Sequence, residues 1–125
     1  METPRPGRRA RGSTSGRPIM VLLDLLGRRW TLRILWELRD VALTFRALQD
    51  ACGGMSPTVL NRRLKELRDS RLVELGPHDG YAFTSLGLEL LESLMPLVAW
   101  SKRWARAFEP RRASPRKGVS PHVEP

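Results

Sequence analysis

SPTVLNRRLKELRDS, residues 56–70, combines a helix start signal, a helical period and two chemically different faces. Ser56 can cap the helix, Pro57 suits its first turn, where the missing N–H costs nothing, and Leu60, Leu64 and Leu67 recur on one side. That side is core. At about 100° per residue, Thr58, Asn61, Arg62, Lys65 and Arg68 gather on the opposite side, a cationic face with hydrogen-bonding groups of several reaches. Such a face could read DNA, or it could be the solvated side of an ordinary amphipathic helix. The flanking sequence has to decide between them.

Ahead of this helix, residues 43–45 read as a short extended piece. Residues 46–52 read as a helix that turns Phe45, Leu48 and Cys52 inward. Gly53-Gly54-Met55 then makes a tight turn from the residue type that tolerates positive φ. In a helix-turn-helix of this order the first helix braces, and the second enters the major groove with its N-terminal residues nearest the base edges. Helix pairs joined by glycine also occur in proteins that never touch DNA, so the motif alone does not fix function. Behind the helix, the apolar runs 72–75 and 81–84 flank Gly76-Pro77-His78-Asp79-Gly80, which reads as a β-hairpin with a five-residue turn. A hairpin in that place is a wing. His78 reads as a solvated turn residue, because no acid or metal ligand stands at a matching spacing.

Working outward, residues 18–26 read as a helix that opens on Pro18 and stops at Gly27, with Ile19, Leu22, Leu23 and Leu26 as its inner stripe. A second helix over 30–39 has Trp30, Ile34, Leu35 and Leu38 on one side and Leu32 and Trp36 on another, so two buried faces are expected. Its Arg33 and Glu37 are spaced to pair at i,i+4. The longest pattern, 85–108, advances through Leu86, Leu90, Leu94, Leu97, Trp100, Trp104 and Phe108, with Thr84 as its cap. Pro96 is expected to kink this helix or divide it in two. About 24 helical residues reach beyond what so small a domain covers, and a second copy of the chain is the simplest surface for the distal aromatics. The alternative is a helix that folds back at Pro96 onto its own domain.

With 125 residues and 41% hydrophobic residues, the chain suffices for one modest core. The 22 Lys and Arg against 13 Asp and Glu leave a net charge of +9, which points to a polyanionic partner. Residues 1–17 carry five Arg against one Glu, 18–108 carry 13 basic against 10 acidic residues, and 109–125 carry four against two, so most of the excess lies in the two ends. Both ends are rich in Pro, Ser and Arg without an apolar period and read as disordered tails around a folded region 18–108. The N-terminal tail is either solubilising or an arm whose Arg8, Arg9 and Arg11 lie along phosphates. A single cysteine, Cys52, excludes an internal disulfide framework, and no cysteine–histidine spacing suggests a metal site. The apolar run 19–26, broken by Asp24, is far short of a membrane span and lacks a signal-peptide cleavage pattern. The chain reads as cytoplasmic, with no cofactor and no membrane partner.

The fold class is therefore mainly α with a small β-hairpin wing (α+β): a winged helix-turn-helix with a long C-terminal dimerisation helix. Between residues 18 and 100 the sequence resembles the HxlR-type transcriptional regulators, relatives of the MarR group. The resemblance is carried by Leu26-Gly27, Trp30-Thr31-Leu32, Ile34-Leu35, Glu37-Leu38, Phe45 and Leu48, then by Ser56-Pro57, Val59-Leu60, Arg63-Leu64, Glu66-Leu67 and Leu72-Val73-Glu74. Tyr81, Phe83-Thr84, Leu86-Gly87, Leu90-Leu91, Leu94 and Trp100 complete it. It implies a homodimer held by the first and last helices, DNA bound by residues 56–68 of each subunit, and a flanking wing. Many such regulators have a cysteine just before the proline of the first helix, sometimes a redox sensor; here Arg17 precedes Pro18. A glycine usually ends the recognition helix, where Arg71 stands here, and the hairpin tip lacks an arginine, which puts a wing contact with DNA in doubt.

The expected function is that of a sequence-specific transcriptional regulator that acts as a homodimer on double-stranded DNA with a two-fold repeated site. Ser56, Thr58, Asn61, Arg62, Lys65 and Arg68 are its candidate DNA-binding residues, and Ile19, Leu22, Leu97, Trp100 and Trp104 its candidate dimer contacts. The alternative is a winged-helix protein-interaction module that does not read DNA. Against it, the first two turns of the recognition helix carry hydroxyl, amide and guanidinium groups but none of the apolar anchors a protein interface adds. An enzyme is excluded by the lack of a paired-carboxylate, nucleophile–base or phosphate-loop pattern. If a small-molecule effector exists, the expected place is a cavity between the DNA-binding half and the dimer helices, walled by Trp30, Trp36 and Leu97.

Overall fold

Pro18 opens the first helix, α1 (Pro18–Leu26), at the position where proline's missing N–H is harmless and its fixed φ already helical. In the structure, a computed structural model that describes residues 17–110, α1 is followed by α2 (Thr31–Glu37), α3 (Phe45–Ala51) and α4 (Pro57–Asp69). A hairpin of β1 (Val73–Leu75) and β2 (Tyr81–Phe83) comes next, and then α5 (Ser85–Leu94) and α6 (Pro96–Arg106). The strands pair antiparallel with Val73 opposite Phe83 and Leu75 opposite Tyr81, and Leu43 bridges to Tyr81 as a short third rung. The expected tails 1–17 and 109–125 lie outside the described residues, apart from Arg17, Glu109 and Pro110. The described residues fall into two compact units that divide between Leu91 and Glu92.

In the first unit, Ile34, Leu48, Leu60 and Leu67 have no exposed surface, and Leu25, Leu35, Cys52, Leu64 and Val73 join them in one core. The leucine period of α4 therefore packs as its spacing predicts. The inner stripe of α1 does not. Val21, Leu25 and Leu26 are buried, Leu22 is partly so, and Ile19 and Leu23 are 49% and 53% exposed. Eight of its nine residues are apolar, so the sequence period hardly distinguishes one face from another. In α2 the face of Ile34, Leu35 and Leu38 is buried, but the expected second buried face is open, with Leu32 and Trp36 exposed. This helix is also shorter than its pattern, because Trp30 is not its first residue but its N-cap, at φ 80°.

Thr44 starts α3 one residue earlier than expected, its Oγ1 accepting a hydrogen bond from the N–H of Ala47. At the other end of the first unit, Thr84 caps α5 by accepting from the Gly87 N–H at 3.0 Å. Gly87 lies so close to the chain that a Cβ there would sit 2.0 Å from the Leu72 carbonyl oxygen; only glycine allows this approach of α5 to the α4–β1 connection.

Pro96 divides the long C-terminal pattern into α5 and α6, as expected of a proline that cannot donate to the helix ladder. In the second unit, α6 has no buried residue: Leu97, Trp100, Trp104 and Phe108 are 57%, 49%, 55% and 74% exposed. Trp100 and Trp104 stack with centroids 6.0 Å apart, and Phe108 meets Trp104 edge-on at 5.7 Å. A continuous aromatic strip thus faces outward.

Candidate nucleic-acid interface

The turn between α3 and α4 is built from residues that have few alternatives. Gly53 and Gly54 take φ values of 79° and 76°, where a side chain would be strained, and the buried Met55 anchors the turn to the core. Gln49 Nε2 donates to the Met55 carbonyl at 2.9 Å, and Arg33 Nη2 donates to the Ala51 carbonyl at the end of α3. Ser56 then caps α4, its Oγ accepting from the Val59 N–H at 3.4 Å, and Pro57 is the first helical residue.

Burying Leu60, Leu64 and Leu67 turns Thr58, Asn61, Arg62, Lys65 and Arg68 outward, and all five are exposed, as is Ser56. The candidate DNA-binding residues therefore share one surface. Lys65 Nζ donates to Asp69 at 2.8 Å, an exposed i,i+4 pair worth a few tenths of a kcal/mol, so a phosphate can compete for it. Between α4 and the hairpin lies a groove of about 640 Å³, lined by Asn61, Lys65 and Arg68 on one side and by Glu74 and Tyr81 on the other, with Arg71 at the junction.

Sequence reasoning missed the groups that hold α4 in place. Glu66 is 5% exposed and receives Arg28 Nη1 at 2.8 Å on one carboxylate oxygen and Arg63 Nη1 at 3.0 Å on the other. Arg28 also reaches Asp24 at 3.3 Å, and Arg63 Nε donates to the Arg29 carbonyl at 2.8 Å. The α1–α2 turn is thereby tied to the middle of α4. The i,i+3 spacing of Arg63 and Glu66 was a readable signal. No local signal connects Glu66 to Arg28.

The candidate dimer residues divide by exposure. Ile19, Leu97, Trp100 and Trp104 are open, whereas Leu22 packs in part against the chain's own core. Of the residues expected around an effector, Trp30 is half-buried beneath the Arg29 guanidinium at 5.6 Å, and the exposed Trp36 is covered by that of Arg39 at 3.7 Å. Cys52 is buried at the end of α3; burial raises its thiol pKa, with nearby Arg33 lowering it and Glu37 raising it less. Among the described residues, no cluster of His, Cys, Asp or Glu could hold a metal ion, and no helix is long and apolar enough to cross a membrane.

The pattern of the HxlR-like helix-turn-helix family matches residues 25–109. An uncharacterized HTH-type transcriptional regulator of Methanocaldococcus jannaschii is 30% identical over 98 residues, covering 74% of this chain and 90% of the relative. Among solved structures, a possible HxlR family transcriptional factor from Thermoplasma volcanium is 32% identical with a TM-score of 0.62, covering 79% of this chain and 95% of that one. Quinone-bound YodB from B. subtilis is 30% identical with a TM-score of 0.62, covering 69% and 97%. The winged arrangement, the outward cationic face of α4 and these matches agree: the chain belongs to the HxlR-like helix-turn-helix family of transcriptional regulators, a non-enzymatic family that works by binding DNA.

Proposed function

We propose that the chain is a homodimeric, sequence-specific DNA-binding regulator in which α4 of each protomer enters the major groove of one half of a two-fold repeated site. The observation that carries this reading is the exposed face of α4, where the side chains of Asn61 and Arg62 stand in the second turn with no hydrogen bond or ion pair to another of the described residues. An amide presents a donor and an acceptor to adenine, and a guanidinium presents two donors to guanine. Ser56 and Thr58 at the helix start, and Lys65 and Arg68 further along, supply phosphate contacts that fix register.

Dimerisation is supported by two apolar faces that stay open within the chain, Ile19 with Leu23 on α1 and Leu97, Trp100 and Trp104 on α6. Leu22, half-buried, borders the first. Selection of bound duplexes from a random pool tests the whole reading. A two-fold repeated sequence is the expected product; absence of enrichment would overturn it in favour of an interaction module.

A further inference from the structure

Arg71 occupies the residue after the C-cap of α4 with φ 65°, a left-handed conformation that glycine adopts freely and arginine does not. The position is fixed from three sides. The Arg71 N–H donates to the Arg68 carbonyl and the Leu72 N–H to the Leu67 carbonyl, both at 3.0 Å, which is the paired closure of a Schellman motif. Thr84 Oγ1 donates to the Arg71 carbonyl at 2.7 Å. Leu72 and Val73, 7% and 2% exposed, then anchor the chain in the core. The backbone geometry is dictated by the hydrogen bonds and by Leu72, and nothing in it requires a side chain at residue 71.

Residue 71 nonetheless lines the groove between α4 and the hairpin, together with Arg68 and Lys65. It is exposed, and no carboxylate of the described residues pairs with it. The acids of the groove are Asp69, which Lys65 holds at 2.8 Å, and Glu74 on β1. Arg68 and Arg71 together therefore leave the groove cationic, and both stand towards the C-terminal end of α4, while Asn61 lines the groove from the second turn. A strained residue that the fold holds rigid, with a charged group in an open groove, is the pattern of a functional outlier.

Resting on the reading of α4 as a DNA-binding helix, we propose that Arg71 is a DNA-contacting residue that clamps one phosphodiester of the duplex backbone in the groove between α4 and the wing. It takes over the charge that the arginine-free hairpin tip lacks. The bracket fixes the backbone from which the guanidinium projects, so only the side chain's own rotamers remain to be ordered on contact. A phosphate contact carries no sequence information, so the residue adds affinity and salt dependence without changing the preferred site.

The test measures binding of the full chain to its selected duplex from 50 to 200 mM salt, for the parent and for Arg71→Gly, Arg71→Gln and Arg71→Lys, with thermal melting of each. Losing one phosphate contact lowers the slope of log K against log salt by about 0.9, equivalent to roughly eightfold weaker binding at 0.1 M salt. Arg71→Gly and Arg71→Gln are expected to show that loss with an unchanged site preference, and Arg71→Lys to keep most of the slope. Arg71→Gly is expected to melt no lower than the parent, because glycine relieves the left-handed strain. Unchanged slopes in both neutral variants, or an altered site preference, would overturn the proposal. A parent chain that binds no duplex, or undiminished specificity in both Arg62→Ala and Asn61→Ala, would instead sink the reading on which it rests.

Discussion

Arg28 Nη1 and Glu66 Oε2 meet at 2.8 Å although 38 positions separate them in the chain, and both side chains are at least nine-tenths buried. This pair joins the α1–α2 turn to the recognition helix. Removing Glu66 takes from Arg28 its shorter carboxylate contact, with Asp24 still at 3.3 Å, and takes from Arg63 its carboxylate, so buried charge loses compensation on both sides. Glu66→Ala is expected to cost about 3 kcal/mol in urea denaturation. A loss below about 1 kcal/mol would show that α4 is held by its leucines alone.

Arg62 is exposed and projects from the second turn of α4. A bidentate base contact discriminates by about 1 to 3 kcal/mol, so Arg62→Ala is expected to lower specific binding at least several-fold while nonspecific binding changes little. Asn61→Ala is expected to act in the same direction. Competition with unrelated duplex measures the ratio, and an unchanged ratio in both variants would mean that another element reads the site.

Trp100 and Trp104 form a stacked pair on a helix without buried residues. The parent chain is expected to sediment as a dimer at micromolar concentration and the double variant Trp100→Glu with Trp104→Glu as a monomer. Two-fold symmetry would also set half-sites about one DNA turn apart, roughly 34 Å, and the monomer would lose that spacing preference. A dimer that survives the double replacement would place the interface elsewhere.

Cys52 is expected to be silent as a sensor. Burial keeps its thiol protonated at neutral pH, and the thiolate is the reactive form. DNA binding is expected to be the same before and after mild peroxide or quinone treatment, in the parent and in Cys52→Ala; oxidant-dependent release seen only in the parent would make Cys52 the switch. The raised thiol pKa has a second consequence. The unfolded thiol ionises from about pH 8.5 upward while the folded one stays neutral, so the stability linked to it is full below that pH and is lost as pH rises towards the folded value. Denaturation from pH 7 to 10 is expected to show a steeper loss for the parent than for Cys52→Ala.

Thr31 is 1% exposed, and its Oγ1 has no hydrogen-bond partner among the described residues. A buried hydroxyl without a partner costs desolvation and returns nothing. Thr31→Val, nearly the same shape, is therefore expected to gain about 1 kcal/mol in urea denaturation. A loss would show that the hydroxyl takes part in a bond on which the folded chain relies.

The sequence by itself determined what local chemistry controls. Ser56 and Pro57 start α4, its leucine period selects the core face, and the outward position of Thr58, Asn61, Arg62, Lys65 and Arg68 follows from that choice. Gly53 and Gly54 fix the turn, and Pro96 ends one helix and begins the next. Each depends on residues within one or two helical turns. The tertiary structure decided where local preference was degenerate or absent. Nearly all of α1 is apolar, so only packing could choose Val21 and Leu25 over Ile19 and Leu23 as its inner face. Arg28 and Glu66 form their pair because the chain folds back on itself, and no spacing encodes a contact between residues so far apart. Arg71 takes a left-handed conformation because the closing bonds of α4, the Thr84 hydroxyl and the burial of Leu72 together outweigh its intrinsic preference. Local sequence sets such preferences at about 1 kcal/mol per residue, and several long-range contacts acting on one residue exceed that.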